Sequence, residues 1–141
     1  MEVTADDGSG REHILVVDDE PVVRRFASRV LEEAGYRIAT AADGAQALRA
    51  LRHETDPFHA VVSDIVMPNV NGVELLQEVS TAYPELPVIL MSGYATTELS
   101  KRGIPTPCGV LSKPFAPEHL LAEVRRCLDR KSPESSTRSA V

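Results

Sequence analysis

Between Ile14 and Asp129, short β-branched runs alternate with longer stretches of helical period. This alternation restricts the chain to repeated βα units around a parallel sheet. Strands are expected near residues 13–17, 36–41, 59–63, 86–91 and 108–112. The first helix carries Val23, Phe26, Ala27, Val30, Leu31 and Ala34 at intervals of three and four, with Pro21 suited to its first turn and Gly35 as its stop. The second begins after Asp43, a natural N-cap, and turns Ala47, Leu48 and Leu51 inward. The third begins near Asn71 or Gly72, carries Val73, Leu76, Val79 and Tyr83 on one face, and ends at Pro84. A short fourth helix over residues 95–102 has only a weak apolar face. The fifth, over residues 117–129, buries Leu120, Leu121, Val124 and Leu128.

Five such units close as a doubly wound α/β sandwich with strand order 2-1-3-4-5, helices on both faces and the first and third strands adjacent at the switch point. At 141 residues the chain has room for one domain, which buries roughly two-thirds of its unfolded surface. The expected division is a flexible segment at 1–12, a folded unit at 13–130 and a polar, Ser-rich disordered tail at 131–141. The first twelve residues lack the apolar core of a signal peptide and no run could span a bilayer, so a cytoplasmic address is expected.

A net charge of −6 excludes the concentrated basic surface that nucleic acid requires. Arg24, Arg25 and Arg29, and again Arg125, Arg126, Arg130 and Lys131, are expected on solvated helix faces. Cys108 and Cys127 are too few for a disulfide framework and show no metal-ligand spacing; both are expected as reduced thiols. His13, His53, His59 and His119 are scattered without ligand spacing.

Chemistry gathers at strand ends. Asp18 and Asp19 follow Ile14-Leu15-Val16-Val17, and Asp64 follows Ala60-Val61-Val62-Ser63. On adjacent strands these three carboxylates meet at one sheet edge, where open α/β folds place their sites. Their mutual repulsion calls for a hard divalent cation, and oxygen-only ligation suits Mg²⁺. Ser92 follows the fourth strand and Lys113 the fifth, on the same edge.

With these residues in hand, the chain resembles the response-regulator receiver domain of two-component signalling, either stand-alone or at the C-terminus of a hybrid sensor kinase. The resemblance rests on Val16-Val17-Asp18-Asp19-Glu20-Pro21, Ser63-Asp64-Ile65-Val66-Met67-Pro68 with Asn71-Gly72, Met91-Ser92-Gly93-Tyr94-Ala95 and Lys113-Pro114-Phe115, over about residues 13–129. It implies a flavodoxin-like receiver fold and a signalling module that catalyses only its own phosphorylation and slow dephosphorylation. Asp64 would take a phosphoryl group from a phosphohistidine of a sensor histidine kinase or histidine phosphotransfer protein. Asp19, Asp64 and the Val66 carbonyl would bind Mg²⁺ directly, with Asp18 acting through water. Lys113 and Ser92 would contact phosphoryl oxygens. The Lys113-Pro114 bond is expected to be cis. Output would be a population shift on the face of the fourth helix, fifth strand and fifth helix, through which a homodimer is also compatible.

The chain departs from that family at two places. Val110 stands where an inward-turning aromatic switch is usual, which gives Tyr94 a candidate share of that role. Val66, two residues after Asp64, offers no polar group to orient water, so slow self-hydrolysis of the acyl phosphate is expected. Val66 also argues against a haloacid-dehalogenase phosphatase, which needs an Asp there. Gly8 and Gly10 precede the first strand instead of following it, against a dinucleotide site. The remaining alternative is a degenerate receiver that only docks proteins.

Overall fold

The computed structural model describes residues 12–67, 69–93 and 105–131. Five strands, β1 (His13–Val17), β2 (Arg37–Ala41), β3 (Ala60–Asp64), β4 (Val88–Ser92) and β5 (Gly109–Ser112), form one sheet. All pairings are parallel and the order is β2-β1-β3-β4-β5, as the alternating pattern predicts. The helices among the described residues are α1 (Pro21–Glu33), α2 (Gly44–His53), α3 (Gly72–Ala82) and α4 (Pro117–Lys131). The short helix expected over 95–102 and most of both terminal segments lie outside the described residues. No helix among the described residues is long and apolar enough to cross a membrane.

Because successive strand residues point to opposite faces, the central strands divide their side chains between two cores. Ile14, Val16, Ala60, Val62, Ile89 and Met91 pack with Leu31 of α1 and with Leu120 and Val124 of α4. Leu15, Val17, Val61, Val88 and Leu90 pack on the other side with Ala47 of α2 and with Leu75, Leu76 and Val79 of α3. Burial on both faces explains why these strands read as continuous apolar runs rather than as alternating ones.

Local chemistry fixes the helix ends. Gly35, at φ 103°, adopts the left-handed conformation that terminates α1. Its N–H donates to the Glu32 carbonyl at 3.0 Å, and the Tyr36 N–H donates to that of Leu31 at 3.1 Å, the paired bonds of a Schellman motif. The Asp43 carboxylate accepts from the Gln46 N–H at 2.8 Å and caps α2. Asn71 and Glu74 form a reciprocal capping box at the start of α3, both bonds being 2.9 Å.

Three expectations need correction. Cys108 and Cys127 are not free thiols: they form a disulfide between the start of β5 and the penultimate turn of α4, with Cα atoms 6.0 Å apart. The pairing arises because α4 returns antiparallel along the sheet and lays residue 127 beside residue 108. Phe26, expected inside, is 41% exposed and leans on Phe115 at a ring separation of 5.9 Å. Nor are all the arginines merely solvated. Arg24 donates to the Asp18 carbonyl at 2.6 Å, while Arg125 reaches Glu12 at 3.3 Å and Asp129 at 3.3 Å.

Candidate functional site

The switch point sets the site. Val17 is in register with Ser63, so the residues that follow them, Asp18 and Asp64, leave adjacent strands at one end of the sheet. Asp18 is fully buried and Asp64 nearly so, whereas Asp19 faces solvent. One carboxylate oxygen from each of the three lies within 4.8 Å of the other two. This spacing, with an open side at Asp19, suits a hard cation that keeps part of its water shell.

Lys113 arrives from the end of β5 to meet them. Its Nζ donates to Asp18 Oδ2 at 3.1 Å, and it lies 3.3 Å from Asp64 Oδ1 and 3.9 Å from Glu20 Oε1. The Lys113–Pro114 peptide is cis, as expected. The Lys113 backbone N–H donates to the Ser92 carbonyl at 2.7 Å, tying the ends of β4 and β5 together below the acids. Ser92 itself is 7% exposed and in register with Ser112. Thus Asp18, Asp19, Asp64, Ser92 and Lys113 all come to the same end of the sheet.

Electrostatics at this end are in conflict. Burial raises the pKa of Asp64 above its ordinary value and the Asp18 charge adds to that effect; Lys113 opposes both through its charge and its hydrogen bond. For Lys113, burial works against the charged form, but Asp18 and Asp64 together outweigh it and raise its pKa. The ammonium therefore stays charged, while two buried carboxylates share a single half-buried cation. A divalent ion in contact with the three acids would relieve this imbalance.

The lip of the site is apolar on one side and open on another. Val66 is 62% exposed, two residues beyond Asp64. Among the described residues, chain neighbours aside, a Cβ placed on Gly93 would meet no atom within 4 Å. Val110 is 41% exposed on edge strand β5. Tyr94, a candidate partner in switching, lies outside the described residues.

Several supporting residues escape a reading by strand ends alone. Arg24 holds the Asp18 carbonyl, and the Glu20 N–H donates to Asp18 Oδ1 at 2.9 Å. On the other side, Asn69 sits at φ 66° and its Nδ2 donates to Asp43 Oδ2 at 2.9 Å. The Gly44 N–H donates to the Val70 carbonyl at 3.1 Å. The start of α2 therefore braces the loop that follows Asp64. Gly72 completes the brace: its N–H donates to the Ile65 carbonyl at 2.8 Å, and a Cβ there would fall 2.3 Å from the Asp64 carbonyl oxygen. Asn at a left-handed position was the available signal for this loop; nothing in the sequence pairs it with Asp43.

Comparison with known proteins fits this geometry. Residues 14–125 match the model of the response regulator receiver domain. The chain belongs to the response-regulator receiver family. The receiver is 36% identical over 129 residues to sensor kinase CckA of Brucella abortus, spanning 90% of this chain and 14% of that one. It is 35% identical over 118 residues to the response regulator receiver protein CpdR of the same organism, spanning 83% of this chain and 97% of CpdR. A crystal structure of the response regulator TrrA from Thermotoga maritima, in complex with Mg²⁺ and BeF, superposes with a TM-score of 0.72 at 30% identity, covering 82% of this chain and 98% of that one. Relatives thus differ widely in length, and the receiver matches nearly all of some and a small part of others.

Proposed function

We propose that residues 13–130 form a phosphoacceptor receiver in which Asp64 takes a phosphoryl group from the phosphohistidine of a sensor histidine kinase or histidine phosphotransfer protein, with Mg²⁺ as cofactor. The convergence of Asp18, Asp19 and Asp64 within 4.8 Å, next to the Lys113 ammonium, carries this reading. The Asp64 carboxylate attacks phosphorus in line with the departing histidine nitrogen, and an acyl phosphate forms as the P–N bond breaks. Asp19, Asp64 and the Val66 carbonyl would hold Mg²⁺, with Asp18 behind them through water; the cation supplies charge neutralisation at the phosphoryl oxygens.

The chain's own residues do the rest. Lys113, already at hydrogen-bond distance from Asp18, turns toward the incoming phosphoryl group and offsets its charge. Ser92 donates to another phosphoryl oxygen. The added group brings about −1.5 to −2 charges, which draws Ser92 and Lys113 together and shifts the ends of β4 and β5. That displacement is the signal read by a protein partner. Val110, exposed and aliphatic, takes no aromatic switching role, and the apolar Val66 leaves water at Asp64 without an orienting partner. The acyl phosphate is accordingly long-lived.

Intact mass after incubation with acetyl phosphate, with and without Mg²⁺, tests this reading on the wild type and on Asp64→Asn. The expected result is one phosphoryl adduct that requires Mg²⁺ and is absent from the variant. No adduct under any condition would replace this reading with that of a phosphorylation-independent docking module.

A further inference from the structure

The end of β5 opposite Lys113 carries a second chemical feature. Cys108 and Cys127 are joined there, with Cα atoms 6.0 Å apart, inside the range that a disulfide spans without backbone movement. Their surroundings differ. Cys127 is fully buried among Leu120, Val124 and the strand side chains of one core. Both sulfur residues border a cleft of about 520 Å³ whose wall also includes Pro84, Leu86, Thr106 and Arg130, but Cys108 is only partly buried and is the one of the two that keeps exposed surface.

Cationic groups also crowd Cys108. Arg126 donates to its carbonyl at 2.7 Å, and Arg130 lies 4.0 Å from its sulfur. Glu123 engages Arg126 at 2.7 Å, and Glu85 is a further acid on the cleft wall, so Arg130 is the cation aimed at the sulfur itself. A neighbouring guanidinium stabilises a thiolate, and access from a cleft exposes it to small oxidants.

We propose that Cys108 and Cys127 form a thiol–disulfide modification site, in which Cys108 is the attacking thiol and Cys127 the resolving one, with a low-molecular-weight disulfide as co-substrate. The Cys108 thiolate attacks one sulfur of that disulfide; a new S–S bond forms, the old one breaks, and a small thiolate leaves. Cys127, deprotonated as it reacts, then attacks the Cys108 sulfur and expels the second small thiolate. The cysteine pair has lost two electrons and two protons, and the co-substrate is reduced to two thiols. The oxidised form, which the structure shows, staples the penultimate turn of α4 to the start of β5. Five residues of extended chain, roughly 16 Å, separate this staple from Lys113, so the modification and the acid cluster occupy opposite ends of the same strand.

The full chain, first reduced and then exposed to glutathione disulfide, provides the test, read by intact mass. Wild type is expected to lose two hydrogens without accumulating an adduct. Cys127→Ala should retain one glutathione on Cys108, and Cys108→Ala should take none while folded. Arg130→Gln in the Cys127→Ala background should slow adduct formation severalfold. Oxidation of the wild type should raise its thermal midpoint by roughly 10 °C. The proposal is overturned if the wild type remains a dithiol, if Cys127→Ala stays unmodified, or if Cys108→Ala is modified as fast as Cys127→Ala. Circular dichroism of each variant before oxidation ensures that modification is read on folded protein.

Discussion

The two ends of the sheet use polar groups in opposite ways. At the C-terminal ends of the strands, the buried carboxylates of Asp18 and Asp64 share Lys113, with exposed Glu20 3.9 Å from the same ammonium, and burial and like charge both act against Asp64. At the other end, the polar groups around His13 meet matched partners. His13 stacks on Phe58 at 4.2 Å, its Nδ1 lies 3.0 Å from the Asp56 carbonyl, and its backbone N–H donates to His59 Nδ1 at 3.0 Å. Asp56 in turn pairs with Arg37. One end is stitched by matched pairs around His13, whereas the other retains an electrostatic imbalance that a cation or a phosphoryl group can relieve. Sites that bind or react keep such imbalance, and structural contacts remove it.

Perturbing each end separately measures the contrast. Lys113→Met should give the largest effect, a loss of about 3 kcal/mol in urea unfolding without added metal, because it leaves buried Asp18 and Asp64 without their cation. Millimolar Mg²⁺ should stabilise the wild type by about 2 to 3 kcal/mol once its concentration is a hundredfold above Kd. Most of that gain should vanish in Asp19→Asn. Loss of less than about 1 kcal/mol in Lys113→Met would break the comparison, since the acid end would then be no more strained than the other.

Asp43→Ala should cost about 1 to 2 kcal/mol, more than an ordinary N-cap, because it removes both the cap of α2 and the bond to Asn69. If the brace matters to the site, the same variant should weaken Mg²⁺ binding severalfold in a titration. Unchanged affinity would mean that the loop after Asp64 holds its shape without α2. By contrast, Asp56→Ala at the stitched end should cost under about 1 kcal/mol, since the Arg37–Asp56 pair is about 40% exposed on both sides.

The smallest expected effect concerns pH. Burial, with Arg37 adding to it, lowers the pKa of His13 below 6.5. Between that lowered value and 6.5 the unfolded chain binds more protons than the folded one, so stability rises with pH across this window and is complete above it. Acidification through the same window should therefore destabilise the wild type. His13→Phe, which keeps a ring against Phe58, should flatten this part of the profile. An equally steep slope in the variant would assign it to other groups.

Much of this architecture is legible along the chain because it depends on local repetition. Runs such as Ile14–Val17 and Val88–Met91 announce strands buried on both faces. Gly35, Asp43 and Asn71 mark helix ends through backbone conformation and capping that involve only nearby residues. Strand-end placement alone brings Asp18, Asp19, Asp64, Ser92 and Lys113 to a common edge, since parallel strands deliver every C-terminal end to the same side. Phe26 shows the limit: its helical spacing matched the core stripe, yet α1 turns it toward Phe115 at the margin.

The order of elements, the helix caps and the edge at which the acids gather follow from the residues in order along the chain, because periodicity and parallel direction act over short stretches. That Cys108 meets Cys127, that Asn69 is held by Asp43, and that Arg24 holds the Asp18 carbonyl emerges from the folded arrangement alone. Each of these contacts depends on how one helix or loop lies against another, and that placement is fixed by packing of the two cores, to which many distant residues contribute at once.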